Sequence, residues 1–392
     1  MTNWPQLKLP RVEIAISESA QRRLALSWHP VVLGAVILAT TVVRVWVIDH
    51  RPEPDGDAKG HLGIAHALLS NPLNVAVHWV WPPGYHYLLA GLLALGVTAH
   101  GIRLLNCTLA ALLPVLVWRY GETTLQPSAS RMERLAPICA GVLCAAMPIV
   151  NVLGTSAQQG TLFAILILVA VWGIDTGRFA LSGAMLAVAT MIRYEAFGAV
   201  GLLAGLQIAC LFPSVVRRLP SALVRLCRLP VVVVAPALVT VAAWLLAHRA
   251  SDGTWFGFLR ELYRYTHVQR ETFFHHDAWT DFLFFPVIQP YYLFGMTLPL
   301  VLLGARRAWR PGFIVPLGIY LFLLGSYTCK GVLANDRYYE SLTPFLCVSA
   351  AYGALAVGRW WRPATPVAFA AAFAHVVRLL VQTGQWKFHL VW

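Results

Sequence analysis

Long apolar runs alternate with short polar breaks along most of the chain. Runs long enough to cross a bilayer, or nearly so, fall at 31–48, 103–118, 135–152, 161–174, 179–192, 196–212, 231–248, 290–305, 312–328, 341–358 and 364–381. A spanning helix needs about 20 apolar residues, and only helices or closed barrels satisfy their backbone in lipid. The pattern therefore predicts an all-α polytopic membrane protein with about 11 transmembrane helices. One run, YHYLLAGLLALGVTA at 85–99, is short for a span and decides the topology. If it crosses, Arg119, Arg131 and Arg134 lie outside the cell. If it stays in the interface, they lie inside, as do Arg178, then Arg217, Arg218, Arg225 and Arg228, then Arg306, Arg307 and Arg310, then Arg359 and Arg362. With Lys8, Arg11, Arg22 and Arg23 of the polar leader 1–30, this puts 17 of the 30 Lys and Arg in compact cytoplasmic loops. The positive-inside rule selects that arrangement, with the N-terminus in and the C-terminus out.

Two large segments, 49–102 and 249–289, then face outward. In the first, Asp49, Glu53, Asp55 and Asp57 directly follow the first apolar run, and charges there face water or a working site. From Asp57 the spacing turns helical: Asp57 and His61 share a face, while Leu62, Ala65 and Leu69 form an apolar stripe. This predicts an amphipathic juxtamembrane helix with a carboxylate at its N-terminal end. Trp79, Trp81, Pro82, Pro83, Tyr85 and Tyr87 follow, an aromatic composition suited to the water–lipid boundary. The plain alternative is a polar loop with a solvated acidic cluster. The segment 249–289 mixes aromatic residues with Arg260, Arg264, Arg270, His275, His276, Asp277 and Asp281, too polar to span. Adjacent His275 and His276 point apart, and with no second ligand group at metal spacing they read as surface polarity. A third outer loop, LANDRYYESLTP, holds Asn335, Asp336, Arg337, Tyr338 and Glu340. No internal repeat or soluble domain interrupts the chain, so 1–392 reads as a single integral domain.

Composition agrees: 58% of residues are hydrophobic and 12% charged. A net charge of +13 could signal nucleic acid, but the Arg clusters between apolar runs explain it as topology instead. The seven Cys form no CxxC pair, and Cys107, Cys139, Cys144, Cys210 and Cys347 lie within apolar runs, so neither a disulfide framework nor a zinc site is expected. The first run is too long for a signal-peptide core and should remain in the mature protein.

The acidic first outer loop, many helices and aromatic outer segments resemble the GT-C superfamily of membrane glycosyltransferases, in particular the protein O-mannosyltransferase and lipid A aminoarabinose transferase type. There, an acid after the first span opens a surface helix of the form D-E-x-x-[YH]-x-x-x-A. Asp57, His61 and Ala65 match, with Ala58 at the second acid. The K-P-P-L-x-x-x-L-L segment corresponds to WPPGYHYLL, where Pro82 and Pro83 match and Trp81 replaces the Lys. Arg103 matches an Arg that opens the second span, TMIRYE a T-K or T-R element with Arg193 and Glu195, and Arg337, Tyr338 and Pro344 an R-Y-x-x-x-x-x-P element. Many relatives carry an acid in the outer loop after the third span, whereas this chain has Gln158 and Gln159. A two-carboxylate metal site is thus doubtful, and no cofactor is expected.

The resemblance implies a GT-C-like bundle in a bacterial inner membrane, its site facing the periplasm. It implies an enzyme that moves a sugar from a polyprenyl-phosphate donor to a hydroxyl of a glycolipid, glycan or protein acceptor. Such transfer needs a base at the hydroxyl and cations at the departing phosphate. Asp57 is the candidate base, at a helix N-terminus whose dipole favours a carboxylate, with Asp55 in reserve. Arg337 and Arg193 are the leading phosphate ligands, with Lys59, Arg103 and Lys330 behind them, and His61, Tyr338, Glu195, Tyr85 and His86 are further substrate contacts. Against these stand simpler roles: Arg193 paired only with Glu195, Arg337 paired with Asp336 or Glu340, and Arg103 anchoring its helix at the interface. The rival functions are a transporter or flippase for a lipid-linked sugar, a non-catalytic subunit of a glycan-assembly complex, and an O-antigen ligase or polymerase. Transporters place paired charges at the midplane and show repeats, whereas here the acids cluster at one boundary.

Overall fold

The computed structural model describes residues 18–53, 55–78, 80–125, 133–212, 229, 231–273, 297–328 and 336–360, with 367, 370 and 374. Lys330, His275, His276, Asp277, the start of the run 290–305 and most of 364–381 lie outside them. Among the described residues all regular structure is helical. The α-helices are α1 (Glu18–His50), α2 (Gly56–Ser70), α3 (Gly84–Ala94), α4 (Ala99–Thr124), α5 (Ala136–Ala146), α6 (Pro148–Leu153) and α7 (Gly160–Asp175). They continue with α8 (Phe179–Ile192), α9 (Glu195–Ala209), α10 (Ala235–Asp252), α11 (Gly257–Phe273), α12 (Thr297–Ala308), α13 (Ile314–Thr328) and α14 (Thr343–Trp360).

Three stretches, Pro30–His50, Ala99–Thr123 and Pro311–Thr328, are helical, long and apolar enough to cross a membrane. Gly160–Asp175, Phe179–Ile192, Glu195–Ala209 and Thr343–Gly358 are apolar but shorter. The chain is built as an integral membrane protein, and among the described residues several of the apolar runs form helices shorter than a full span. The run 135–152 shows one reason. It breaks at Met147, because Pro148 has no N–H to donate and its ring would clash with the preceding turn. The carbonyls of Ala145 and Met147 each accept from Asn151 Nδ2 at 2.9 Å, and that of Met147 also takes the Asn151 amide. Asn151 Oδ1 in turn accepts from Nη1 of the buried Arg44 in α1, at 3.4 Å. A polar side chain and a buried guanidinium thus satisfy a helix break inside an apolar bundle, as lipid requires.

Helix ends sort into two groups. Arg103, in the first turn of α4, donates Nη1 to the carbonyls of Ile48 (3.3 Å) and Arg51 (2.8 Å) at the end of α1. α4 therefore starts where α1 stops, and the intervening α3 does not cross the bundle. At 11 residues it is about 16 Å long, half the hydrocarbon thickness. At the other end, Asp175, which closes α7, accepts from Tyr120 near the end of α4 and from the amide of Gly312 just before α13. Glu133, ahead of α5, pairs there with Arg307 near the end of α12. Between the ends runs one continuous apolar core through α4, α5, α7, α8, α9, α13 and α14. α12 and α14 approach through small residues: a Cβ on Gly304 would lie 1.8 Å from the Ser349 carbonyl, and one on Gly353 1.8 Å from that of Leu300.

Candidate functional site

The end opposite the Arg clusters gathers nearly all the candidate residues. It begins with the cap of α2. Asp55 has extended backbone (φ −91°, ψ 125°) and accepts from the amides of Asp57 (2.8 Å) and Ala58 (3.4 Å). One of its carboxylate oxygens is thus occupied as an N-cap. Asp57, one step into the helix, is left to reach outward. The buried face of α2 is Ala58, His61, Ala65 and Leu68, which corrects the expected stripe: Leu62 is half-buried and Leu69 is 47% exposed. His61 sits on the buried seam because in lipid an apolar side chain can face outward while a polar ring turns into the protein. Lys59 is exposed and lies on a different face of α2 from Asp57 and His61.

The Asp57 carboxylate pairs with the guanidinium of Arg337, 280 positions away. Burial opposes the Arg337 cation, but Asp57, with Tyr338 and Asp55, more than offsets it and holds the group above its usual range. The expected pairing with Glu340 gives way to Asp57, since Glu340 turns instead to Thr161. Arg193 pairs with Glu195 at 2.8 Å through Nε and 2.5 Å through Nη2, the simpler role foreseen for it. Yet its guanidinium also lies over the Tyr338 ring at 5.2 Å, and that of Arg337 lies over the same ring at 5.9 Å. Tyr338 therefore joins the two cations through cation–π contacts. Behind them, the fully buried Glu340 accepts from Thr161 Oγ1 at 2.6 Å, and burial pushes its carboxyl up to about 8 despite Thr161 and Arg193. It packs on Gly160, where a Cβ would meet its Oε2 at 1.8 Å.

A second set of bonds ties the first outer segment to the loop between α6 and α7. Glu53 accepts from Ser156 Oγ (2.6 Å) and from the Ala157 amide (2.9 Å). Arg103 Nε donates to the Thr155 carbonyl at 2.7 Å and lies 3.7 Å from Glu53. With its Nη1 on α1, Arg103 works mainly as a clamp between segments. Asn106 donates to the carbonyls of Ser156 (2.6 Å) and Gln158 (2.5 Å) and bonds the buried Tyr85 hydroxyl. The loop holding Gln158 and Gln159 is thereby drawn against the site.

Three fully buried imidazoles form a row beside this pair. His61 Nδ1 lies 2.8 Å from His86 Nε2, and His86 Nδ1 lies 2.8 Å from His78 Nδ1. Trp81 packs on His61 with ring centroids 4.6 Å apart. Gly84 lets α3 reach them, since a Cβ there would lie 2.6 Å from the Met191 carbonyl of α8. Burial, with Arg337 and Arg193 next, lowers His61 to about 3. Burial lowers His86 to about 2 and His78 to about 4, with neighbouring imidazoles adding to both. All three are neutral at physiological pH.

Sequence reasoning missed His78 and Tyr265, and named Glu53 only as a member of the acidic cluster. His78 carried no spacing signal, because the turn Val75–His78 separates it from the helix it serves. Tyr265 of α11 lies close enough to Asp57 that, after burial, the carboxylate is the main cause raising its hydroxyl above the usual range. Several buried polar atoms near this end have no hydrogen-bond partner, among them His61 Nε2, His78 Nε2, Gln158 Nε2, Gln159 Oε1, Arg103 Nη2 and Glu340 Oε2. Buried polar atoms are nearly always paired, so such a concentration points to a ligand with hydroxyl-like donors and acceptors. Among the described residues no three His, Cys, Asp or Glu are grouped to hold a metal ion.

No protein-family model and no curated protein matches the sequence. Among solved structures, ArnT from Cupriavidus metallidurans in the apo state shares the fold at 17% identity, with a TM-score of 0.54 over 87% of this chain and 62% of that one. The same protein bound to undecaprenyl phosphate matches at 16% identity and a TM-score of 0.54, over 84% and 60%. ArnT is a GT-C membrane glycosyltransferase, and the fold of this chain is GT-C-like. The chain spans about three fifths of the ArnT length.

Proposed function

We propose that this protein transfers a sugar from a polyprenyl-phosphate donor to an acceptor hydroxyl at one face of the membrane, inverting the sugar, with Asp57 as base. The observation that carries the reading is the Asp57–Arg337 pair, standing at the boundary end of a bundle whose fold is that of an undecaprenyl-phosphate-binding protein. A donor phosphate offers Arg337 the bidentate acceptor it is shaped for and so competes with Asp57. Once the phosphate takes the guanidinium, the Asp57 carboxylate oxygen is freed to accept a hydrogen bond from the acceptor hydroxyl. The base is therefore unmasked only when the donor is bound, which limits wasteful hydrolysis. Arg193, linked to Arg337 through the Tyr338 ring, supplies the second positive charge over the departing phosphate. The unpaired atoms of His61, Gln158, Gln159, Arg103 and Glu340 offer both donors and acceptors, as sugar hydroxyls require. Gln158 and Gln159 bring amides where a divalent ion asks for carboxylates, so this reading routes no step through a metal.

The donor tail keeps the reaction at the lipid boundary, the loop charges put the site on the face away from the cytoplasm, and the resemblance to bacterial enzymes makes that face the periplasmic side of an inner membrane. The acceptor is a glycolipid, glycan or protein. The test is the mass of the product formed by purified protein in lipid nanodiscs with a polyprenyl-phosphate sugar and a membrane extract. A product heavier than an acceptor by one sugar residue supports the reading. Donor that crosses the bilayer unchanged, with no such product, would replace it with the flippase.

A further inference from the structure

The His61–His86–His78 row goes beyond substrate contact. We propose that the three rings act as one coupled proton relay, in which His86 and His78 let His61 take up and give back a proton without carrying charge beside Arg337 and Arg193. The inference rests on the glycosyl-transfer reading above. A neutral imidazole has one N–H and one lone pair, and His86 is engaged at both nitrogens, each contact 2.8 Å. In a row of neutral rings the N–H bonds must then all point the same way. Only two arrangements exist, and they differ at the ends: either His61 Nε2 is bare and His78 Nε2 protonated, or the reverse. Both end atoms are buried and without a partner. The groups facing the row are Arg337 and Arg193 at His61, Tyr85 and Trp81 alongside it, and Tyr87, Trp244 and His248 at His78. Two cations at one end favour the lone pair there, so the resting row has His61 Nε2 bare.

His61 lies one helical turn from Asp57 on the same face of α2. When Asp57 has taken the acceptor proton, its O–H bond breaks as an N–H bond forms at His61 Nε2, directly or through a water. His61 Nδ1–H passes to His86 Nε2, His86 Nδ1–H passes to His78 Nδ1, and His78 Nε2–H leaves to water on the His248 side. One proton has moved, and every ring is again neutral. The row resets when His61 Nε2–H gives its proton to an oxygen of the departing phosphate and His78 Nε2 takes one back. A lone His61 could not do this, since an imidazolium there would be buried between two guanidiniums.

The decisive variants are at His78, two rings from the site. His78→Gln keeps a donor and an acceptor but cannot exchange them. It should lower kcat about tenfold or more, within the range of proton-transfer catalysis, and leave the donor KM unchanged. His78→Ala should show the same loss, restored by added imidazole and not by pyrrole, which has no basic nitrogen. Full kcat in His78→Gln, or equal rescue by pyrrole, would overturn the relay and leave packing as the role. A second readout needs no turnover: nitrogen NMR of ring-labelled histidine in nanodiscs. His78 should hold a single tautomer, protonated at Nε2, in the unaltered chain and lose it in His86→Phe, which cuts the row between His78 and the two cations. An unchanged His78 spectrum in that variant would sink the coupling. If the unaltered protein transfers no sugar, the functional reading fails separately, and the spectrum still decides whether the rings are coupled.

Discussion

The two ends of the bundle use the same residue types to different effect. At the Arg-rich end, Asp175 has both carboxylate oxygens answered, by Tyr120 and by the Gly312 amide, each at 2.8 Å. Glu133 holds Arg307, and Glu122 holds Arg119 at 3.0 Å one turn away. Each bond fastens one helix end to another or closes a turn. Among the described residues at that end, only Ser182 Oγ is buried without a partner. At the opposite end the charges are also paired, but several polar atoms near them, His61 Nε2 and Glu340 Oε2 among them, are left unanswered. Charge alone does not mark a site; incomplete satisfaction does, since an unpaired buried atom costs free energy that a ligand can recover.

The sharpest way to break the comparison is to show that the ends do not face opposite sides of the membrane. In a cysteine-free background, Asn71→Cys should be labelled by an impermeant thiol reagent in intact cells, and Thr176→Cys only after permeabilisation. Labelling of both in intact cells would remove the topology. Next in size is Asp57→Asn, which keeps the shape but cannot take a proton at neutral pH. Turnover should fall roughly 10²-fold or more, while donor affinity holds or rises because Arg337 is released to the phosphate. Activity within a few-fold of the unaltered protein, with insertion confirmed, would end the case for Asp57 as base.

Arg337→Ala should weaken donor binding about tenfold to a hundredfold, the worth of one charge-assisted hydrogen bond, measured by titration with polyprenyl phosphate. Unchanged affinity would move the phosphate site elsewhere. A smaller effect is expected from pH. The Glu340 carboxyl titrates near 8 in the folded protein, above its unfolded value, so its stabilising share is full below the unfolded pKa and lost as pH rises toward 8 and beyond. Glu340→Gln should flatten that part of the pH dependence of thermal stability in detergent, and an unaltered profile would contradict the burial argument. The smallest effect belongs to the Arg-rich end. Tyr120→Phe should cost about 1 kcal/mol in thermal or denaturant unfolding and leave turnover intact. A matching loss of turnover would erase the distinction between the ends.

The order of apolar and polar residues by itself determined that the chain is helical and membrane-embedded, because lipid leaves few ways to satisfy a backbone. It also placed Asp57 at a helix start with a histidine one turn on, whereas the capping role of Asp55, expected only as a reserve base, came from the structure. The interfacial reading of 85–99 rested on charges far from it and on the run's own shortness for a span. What tertiary structure alone decided is which charges meet. Arg337 reaches Asp57 across 280 positions, and Glu340 reaches Thr161 across 179, and no periodicity encodes such pairings. The stripe on α2 was misread for a related reason: periodicity reports a polar and an apolar face but not which one lies against protein. In water the apolar face turns inward. Here the neighbours of α2 and the lipid outside them put His61 within, where His86 and His78 could join it.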